Sequence, residues 1–372
     1  MASRLSSIFS LSGLLLSSLL ARSSLAQGPA IPSNFPDPCL AQSRSGTWYA
    51  FSTQTGNINV QMASSPDFDI WTLHEGYDAL PTLPAWTAAA PNARVWAPDV
   101  NQLPDGDGWI MYFAAMGVNH PLKHCIGTAT SPNITGPYVP NPEPLICDLP
   151  NGGNIDPNLF ADPVNGNYYL IYKTDGNSIG NGGDCGNTAS PVVPTPLYLQ
   201  QMSKADLVTL VGAPQLLGSN VNPVGSFQYD GPNTERPSIA YRNGTYYMLY
   251  NSECYAEEAY KIRYVSCVVG EDTNDGINGC DWVALKGAQQ GDANRVFLQT
   301  NDIVSGSNLY APGSMDTSSD SRYVVFHGDT NPGWFNPGHE VNGQVVARSR
   351  GMYAATIDYV NDNGNLVVVS LM

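Results

Sequence analysis

The sequence predicts an all-β chain folded as a five-bladed β-propeller, with acidic residues gathered at one mouth of its central channel. Three observations carry that prediction. A proline-containing opening recurs five times, as Phe35-Pro36-Asp37-Pro38, Trp96-Ala97-Pro98-Asp99-Val100, Asn154-Ile155-Asp156-Pro157-Asn158, Glu235-Arg236-Pro237-Ser238-Ile239 and Ala311-Pro312-Gly313. Each opening is followed by a turn and a run of aromatic and β-branched residues, the composition of a half-buried strand. The opening prolines stand about 60, 60, 80 and 75 residues apart, a period long enough for four short antiparallel strands and their loops.

Within each unit the second strand is the clearest. These strands read Thr47 to Phe51, Gly108 to Phe113, Tyr168 to Tyr172, Thr245 to Tyr250 and Arg322 to Phe326. The turns before them include Asp107-Gly108, Asn165-Gly166 and Asn243-Gly244, and Asn-Gly and Asp-Gly accept the positive φ that tight hairpins demand. Third strands follow at Ile58 to Ala63, Cys125 to Ala129, Leu197 to Met202 and Ile262 to Ser266, and weaker fourth strands at Trp71 to Leu73 and Pro214 to Leu217. The longer units contain insertions rich in Gly, Asn and Cys, Asp175 to Val193 and Glu271 to Asp281, which read as loops on one face. A β-sandwich also produces short strands at regular intervals, but it does not require its units to open alike.

The first 26 residues read as a secretory signal peptide: Arg4, an apolar run from Leu11 to Leu20, and the small-x-small pattern Ser24-Leu25-Ala26. The expectation is therefore a secreted, extracellular protein whose residues 27–372 form one propeller domain. Sequons at Asn133-Ile134-Thr135 and Asn243-Gly244-Thr245 fit that route. Seven cysteines lie scattered without paired CxxC spacing, so in an oxidising compartment they read as disulfides with one thiol left over. Cys125 with Cys147, and one bridge among Cys254, Cys267 and Cys280, are the pairs nearest in sequence. A net charge of −16, with an isoelectric point near 4.4, argues against nucleic acid and anionic membranes, whose phosphates need a basic surface. Only 13% of the residues are charged, which suits a turn-rich protein acting as a monomer on a neutral ligand.

The innermost strand of each blade lines the channel, so the openings converge although they are far apart in the chain. Asp37, Asp156 and Glu235 should then meet. Three acids in one pocket suit acetal hydrolysis, which needs one protonated acid for the leaving oxygen and one carboxylate for water or carbon. An Asp beside Pro also caps turns, and Asp99 and Asp316 read as structural on that ground. Trp96, Phe35, Tyr229, Trp334 and Phe335 offer flat apolar faces for a sugar ring.

These motifs, with Phe326-His327-Gly328 in the fifth unit, together resemble glycoside hydrolase family 43, the arabinanase, arabinofuranosidase and β-xylosidase group, from about Asn34 to the C-terminus. The resemblance implies a five-bladed propeller and hydrolysis with inversion, which calls for roughly 6.5 to 9.5 Å between the two working carboxyls. It assigns Asp37 as general base, Glu235 as general acid, and Asp156 as the acid that orients Glu235 and raises its pKa. His327 and Arg350 would join Trp96 and Phe35 in holding substrate, with Arg348 competing for the arginine's place. The implied substrate is a neutral pentose-containing plant polysaccharide such as arabinan or arabinoxylan, cut at α-L-arabinofuranosyl linkages. β-Xylosidase or exo-galactanase action, or a non-catalytic carbohydrate-binding propeller, are the alternatives. No cofactor is required. The sequence departs from the family twice: Arg236 stands where Gly is common, and Ala311-Pro312-Gly313 lacks the histidine that helps hold a channel ion, which argues against a structural calcium or sodium.

Overall fold

The computed structural model describes residues 28–221, 231–269, 275–282, 296–304, 307–360 and 365–371; the signal-peptide segment and Tyr229 lie outside them. Among the described residues, five four-stranded antiparallel sheets follow one another along the chain, four built from consecutive strands and the fifth interrupted after its second strand by a separate two-stranded hairpin, Glu340–Val341 with Gln344–Val345. Blade 1 comprises Cys39–Gln42, Trp48–Ser52, Gln61–Ser65 and Thr72–Leu73, and blade 2 comprises Trp96–Gln102, Trp109–Gly117, His120–Ser131 and Val139–Pro140. Blade 3 runs through Asn154–Ala161, Tyr168–Thr174, Leu197–Met202 and Leu210–Gly218. Blade 4 uses Thr234–Arg242, Thr245–Ser252, Lys261–Val268 and Val296–Leu298, and blade 5 uses Gly313–Thr317, Tyr323–Asp329, Arg350–Val360 and Asn365–Leu371. The five-bladed propeller that the repeated openings predict is the fold.

Apolar burial is divided among the blade interfaces, because a sheet buried on both faces must find a partner on each side. Five clusters of buried side chains match five interfaces. Phe51 and Met62 of blade 1 pack with Met111 and Phe113 of blade 2; Ile110 and Tyr112 pack with Leu159 and Leu170 of blade 3. Tyr169 and Ile171 meet Tyr246 and Met248 of blade 4, and Tyr247 and Leu249 meet Val324 and Phe326 of blade 5. The ring closes where Val325 and Ala354 of blade 5 pack against Trp48 and Ala50 of blade 1. Backbone hydrogen bonds between Ile31 and Met352 tie the two ends of the described chain at that seam.

The openings owe their likeness to a bulge. In blades 2 to 5 the innermost strand carries one extra residue relative to its partner: Trp96 and Asp99 face Ala114 and Tyr112, Ile155 and Asn158 face Lys173 and Ile171, Glu235 and Ser238 face Asn251 and Leu249, and Gly313 and Asp316 face His327 and Val325. The residue at the bulge has a left-handed backbone: Ala97 (φ 43°), Asp156 (57°), Arg236 (45°) and Ser314 (55°), with Asp37 (54°) in the matching place of blade 1. Such a bulge turns a side chain out of the pleat, and a positive φ at a residue with a Cβ is a strained arrangement typical of working sites. Blade 5 corrects the sequence reading. Ala311-Pro312 is also left-handed at Ala311 (φ 42°), but the strand begins at Gly313, so Ser314 and not Ala311 occupies the position of Asp37 and Asp156.

Three disulfides form, Cys125–Cys147, Cys185–Cys254 and Cys267–Cys280, and Cys39 is a buried free thiol. Cys125–Cys147 forms as expected, and of the three cysteines expected to share one bridge it is Cys267 and Cys280 that pair. The third bridge joins residues 69 apart in the chain and was not legible from spacing.

Candidate active site

Four of the five bulge residues, Asp37, Asp156, Arg236 and Ser314, line one cavity of about 470 Å³, together with Glu235 and Trp96, which immediately precede two of the bulges. The three acids thus come from blades 1, 3 and 4 and meet because their bulges turn them toward one mouth. Asp156 and Glu235 are 9% and 8% exposed, desolvated yet open to the cavity.

Asp37 is the most heavily braced. Thr53 Oγ1 donates to its Oδ2 at 2.7 Å, Ser314 Oγ to its Oδ1 at 2.8 Å, and Arg350 Nη1 to Oδ1 at 3.4 Å. Its backbone N–H donates to His327 Nδ1 at 3.1 Å. Burial alone would raise its pKa, but the Arg350 charge, with the Thr53 hydrogen bond, outweighs it and holds the carboxyl well below the usual carboxylate range. Burial pushes the His327 pKa down to about 4, so its ring is neutral near pH 7 and Nδ1 is free to accept the Asp37 N–H.

Glu235 is fixed from two sides. Lys173 Nζ donates to Oε1 at 2.8 Å and Tyr260 Oη to Oε2 at 3.0 Å. Gly313 makes room for this contact, since a Cβ there would run into the Tyr260 ring. Lys173 is wholly buried, with Asp175 at 3.2 Å and Asn177 at 2.8 Å completing its shell; burial works against its charge, and Glu235, Asp175 and Asp156 together raise its pKa.

Asp156 accepts the backbone N–H of Arg236 at 2.9 Å. Its pKa is pushed up to about 7, first by burial and then by the charges of Glu235 and Asp37, against the lowering effect of Lys173 and Arg236.

The sequence-predicted site residues divide. Asp37, Asp156, Glu235, Trp96 and Arg350 all line the cavity. Trp96 stacks on His124 at 3.9 Å between ring centroids, which fixes its indole, and Arg350 lies over the Tyr255 ring. Arg348 instead pairs with Asp329 at 2.7 Å, so Arg350 is the arginine beside the base position. Phe35 is a correction: it is 0% exposed and packs with Leu40 and Trp48 in the seam between blades 1 and 5, because its place before the bulge of Asp37 turns it inward. His327 is also fully buried, behind Asp37, and therefore braces the Asp37 backbone instead of facing a sugar. Trp334 stacks on His339 and, like Phe335, is not part of the cavity wall. Asp99 and Asp316 bind backbone and side-chain donors of neighbouring blades, as their structural reading requires: Asp99 Oδ2 accepts Leu159 N–H at 2.8 Å, Asp316 Oδ2 accepts Leu40 N–H at 2.7 Å, and Asn158 Nδ2 donates to both acids.

Sequence reasoning missed Lys173, Tyr260, Thr53 and Tyr255. Lys173 alone left a signal: an ammonium at the end of the apolar run Tyr168 to Tyr172, directly before Thr174-Asp175, is a charge that the strand must bury. The insertion at Asp175 to Val193 also enters the site, since Asp175, Asn177, Ser178, Gly180, Gly182, Cys185 and Gly186 form one wall, and Cys185–Cys254 ties that wall to the residue before Tyr255.

Comparison with known proteins agrees with the propeller fold. Among solved structures, a thermostable family-43 glycoside hydrolase matches with a TM-score of 0.62 at 20% identity, covering 91% of this chain and 93% of that one. An arabinanase from Bacillus subtilis matches at 0.55 and 17% identity, with 90% and 97% coverage. A xylan β-1,4-xylosidase from Bacillus halodurans matches at 0.56 and 17% identity, covering 92% of this chain and 56% of that one. A search of curated proteins finds no significant relative. The sequence model of Glycosyl hydrolases family 43 matches residues 26–346, most of the chain and every blade opening, and the protein is accordingly a member of that family.

Proposed function

We propose that the protein is an inverting glycosidase that cleaves α-L-arabinofuranosyl linkages in plant polysaccharides such as arabinan or arabinoxylan. The observation that carries this reading is the meeting of Asp37, Asp156 and Glu235, from three blades, on one cavity wall. Asp37 is the general base: its surroundings keep it ionised, and a carboxylate with a hydrogen-bonded, fixed orientation can take a proton from water. Glu235 is the general acid that protonates the leaving oxygen, aimed by Lys173 and Tyr260. Asp156 orients that side of the pocket and holds a proton of its own up to about pH 7. A cavity of about 470 Å³ with Trp96 on its wall suits a short stretch of neutral sugar, with an apolar ring for the C–H face and carboxylates for the reacting bond.

Glu235→Gln assayed on arabinan and on aryl α-L-arabinofuranosides tests the assignment. Loss of roughly 10²- to 10⁴-fold in kcat on arabinan is expected, with a smaller loss on aryl glycosides whose leaving group needs no proton. Unchanged hydrolysis of both would remove Glu235 from the acid's role, and a wild-type protein that binds arabinan without cleaving it would favour a carbohydrate-binding propeller. Following the anomeric configuration of the first product by NMR tests inversion. Release of xylose or galactose in place of arabinose from xylan or galactan would move the substrate assignment within the family.

A further inference from the structure

The side chain of Arg236 leaves blade 4 and crosses the channel. Nη1 donates to the carbonyl of Pro157 in blade 3 at 2.9 Å, and Nη2 lies 3.5 Å from the carbonyl of Pro98 in blade 2, a blade that is not a neighbour of blade 4. The residue is 2% exposed, so its guanidinium is a full positive charge held away from water on the propeller axis. Such a charge is retained only where opposite charge and hydrogen bonds surround it.

Both are present. The layer beneath the bulges is formed by the residues two positions on, Cys39, Asp99, Asn158, Ser238 and Asp316, one from each blade. Donor atoms of Cys39, Asp99 and Asp316 lie within 4.8 Å of one another, an arrangement of one thiol and two carboxylates that could hold a metal ion. The charges of Asp316, Asp99 and Asp156 act on Arg236 and, against the opposing effect of burial, raise its pKa. In turn, Arg236 lowers the pKa of Asp99, Asp156 and Asp316, each of which burial drives upward.

The channel residues therefore do not fit the structural calcium or sodium ion that the family resemblance raises. A guanidinium bridging three blades already supplies the positive charge, and a metal ion beside it would add like charge to a buried site. The position matters for the proposed chemistry as well, since Arg236 also forms part of the cavity lining, and its backbone N–H is the donor to Asp156 Oδ2. We infer that Arg236 is the resident cation of the central channel, standing in for a metal ion between the acids of blades 2, 3 and 5, so that this protein folds and works without a channel ion. The inference does not depend on which glycoside is cut.

Thermal unfolding of the full chain tests it without reference to activity. Wild type, Arg236→Lys and Arg236→Gly are each melted in EDTA, in millimolar CaCl₂, in NaCl and in low, non-denaturing guanidinium chloride. Wild type is expected to show the same Tm in EDTA and in CaCl₂. Arg236→Gly is expected to melt several degrees lower in EDTA and to regain part of that loss with calcium, sodium or guanidinium, because it leaves the acids of the channel without their cation. Arg236→Lys is expected to keep a Tm that does not respond to calcium. A wild type that loses stability in EDTA and regains it with calcium would overturn the inference, as would an Arg236→Gly protein that ignores all three cations. Should Arg236→Gly fail to fold, wild type and Arg236→Lys decide: calcium dependence in either sinks the inference, and indifference in both supports it.

Discussion

At the scale of single residues, the site combines carboxyls whose surroundings pull them in opposite directions. Asp37 is held ionised by Arg350 and Thr53, whereas Asp156 is pushed up to about 7 by burial and by the charges of Glu235 and Asp37. That contrast has a consequence for stability. The folded Asp156 keeps a proton that an unfolded aspartate releases near 3.8, so its contribution is favourable at low pH and is lost as pH rises toward about 7. His124 and His327, both with pKa near 4, act in the opposite sense between about 4 and 6.5, because the unfolded chain takes up protons that the folded one refuses. The Asp156 contribution is thus read as a difference: Asp156→Asn should gain in Tm relative to wild type as pH is raised from about 5 to about 8. Parallel curves for the two proteins would refute the assignment. Lys173 belongs to the same scale. Lys173→Met leaves Glu235 and Asp175 buried without their cation and should cost about 3–5 kcal/mol in chemical denaturation; a loss below about 1 kcal/mol, the worth of an exposed pair, would show that the ammonium is not buried as described.

At the scale of elements, two devices make the site: the bulge and the tethered loop. The bulge is what converts a strand opening into a channel-facing side chain, and its left-handed residue differs from blade to blade in chemistry but not in backbone. The loop from Asp175 to Val193 is held against the cavity by Cys185–Cys254. Cross-linking across 69 residues constrains the unfolded chain, a contribution on the order of 4 kcal/mol in the loop-entropy account. The double variant Cys185→Ser/Cys254→Ser should therefore lower the Tm, and it should raise KM for arabinan more than it lowers kcat on a small aryl glycoside, because Cys185 lies on the cavity wall while the carboxyls are braced by Thr53, Ser314, Arg350, Lys173 and Tyr260. Equal loss in both substrates would place the loop's effect on the acids themselves. The repeated openings were legible in the sequence because proline and aspartate mark a strained turn locally. The offset of blade 5 was not, since Ala311-Pro312-Gly313 has the same local chemistry and only the pairing of Gly313 with His327 decides where the bulge falls.

At the scale of the whole molecule, burial is spread over five blade interfaces, and the channel gathers the buried charges of Asp99, Asp156, Arg236 and Asp316. The net charge of −16 agrees with the neutral substrate proposed above. Hydrolysis of neutral arabinan should accordingly change little with ionic strength, whereas electrostatic steering would make kcat/KM fall steeply with added salt. The secretory expectation makes its own demand. Asn133 and Asn243 are both exposed at turns, so expression through a secretory pathway should yield a chain beginning at Gln27 and carrying glycan at both sites, measurable by N-terminal sequencing and intact mass.

The sequence by itself determined the number of blades, the acids that the openings bring together, one disulfide and the family, because each of these depends on local chemistry repeated in order along the chain. Strand composition, turn residues and the proline openings act over a few residues and can be read there. Only the tertiary structure decided which side chains share the site. Lys173 and Tyr260 reach Glu235 from 62 and 25 residues away, His327 reaches Asp37 from 290, and Arg236 spans the axis to blades that its own sequence neighbourhood does not mention. Phe35 shows the same limit from the other side: beside Asp37 in sequence, it is turned by the bulge into the seam between blades 1 and 5. Proximity across a closed ring, and the desolvation and charge that come with it, are properties of the assembled propeller and have no counterpart in the order of its residues.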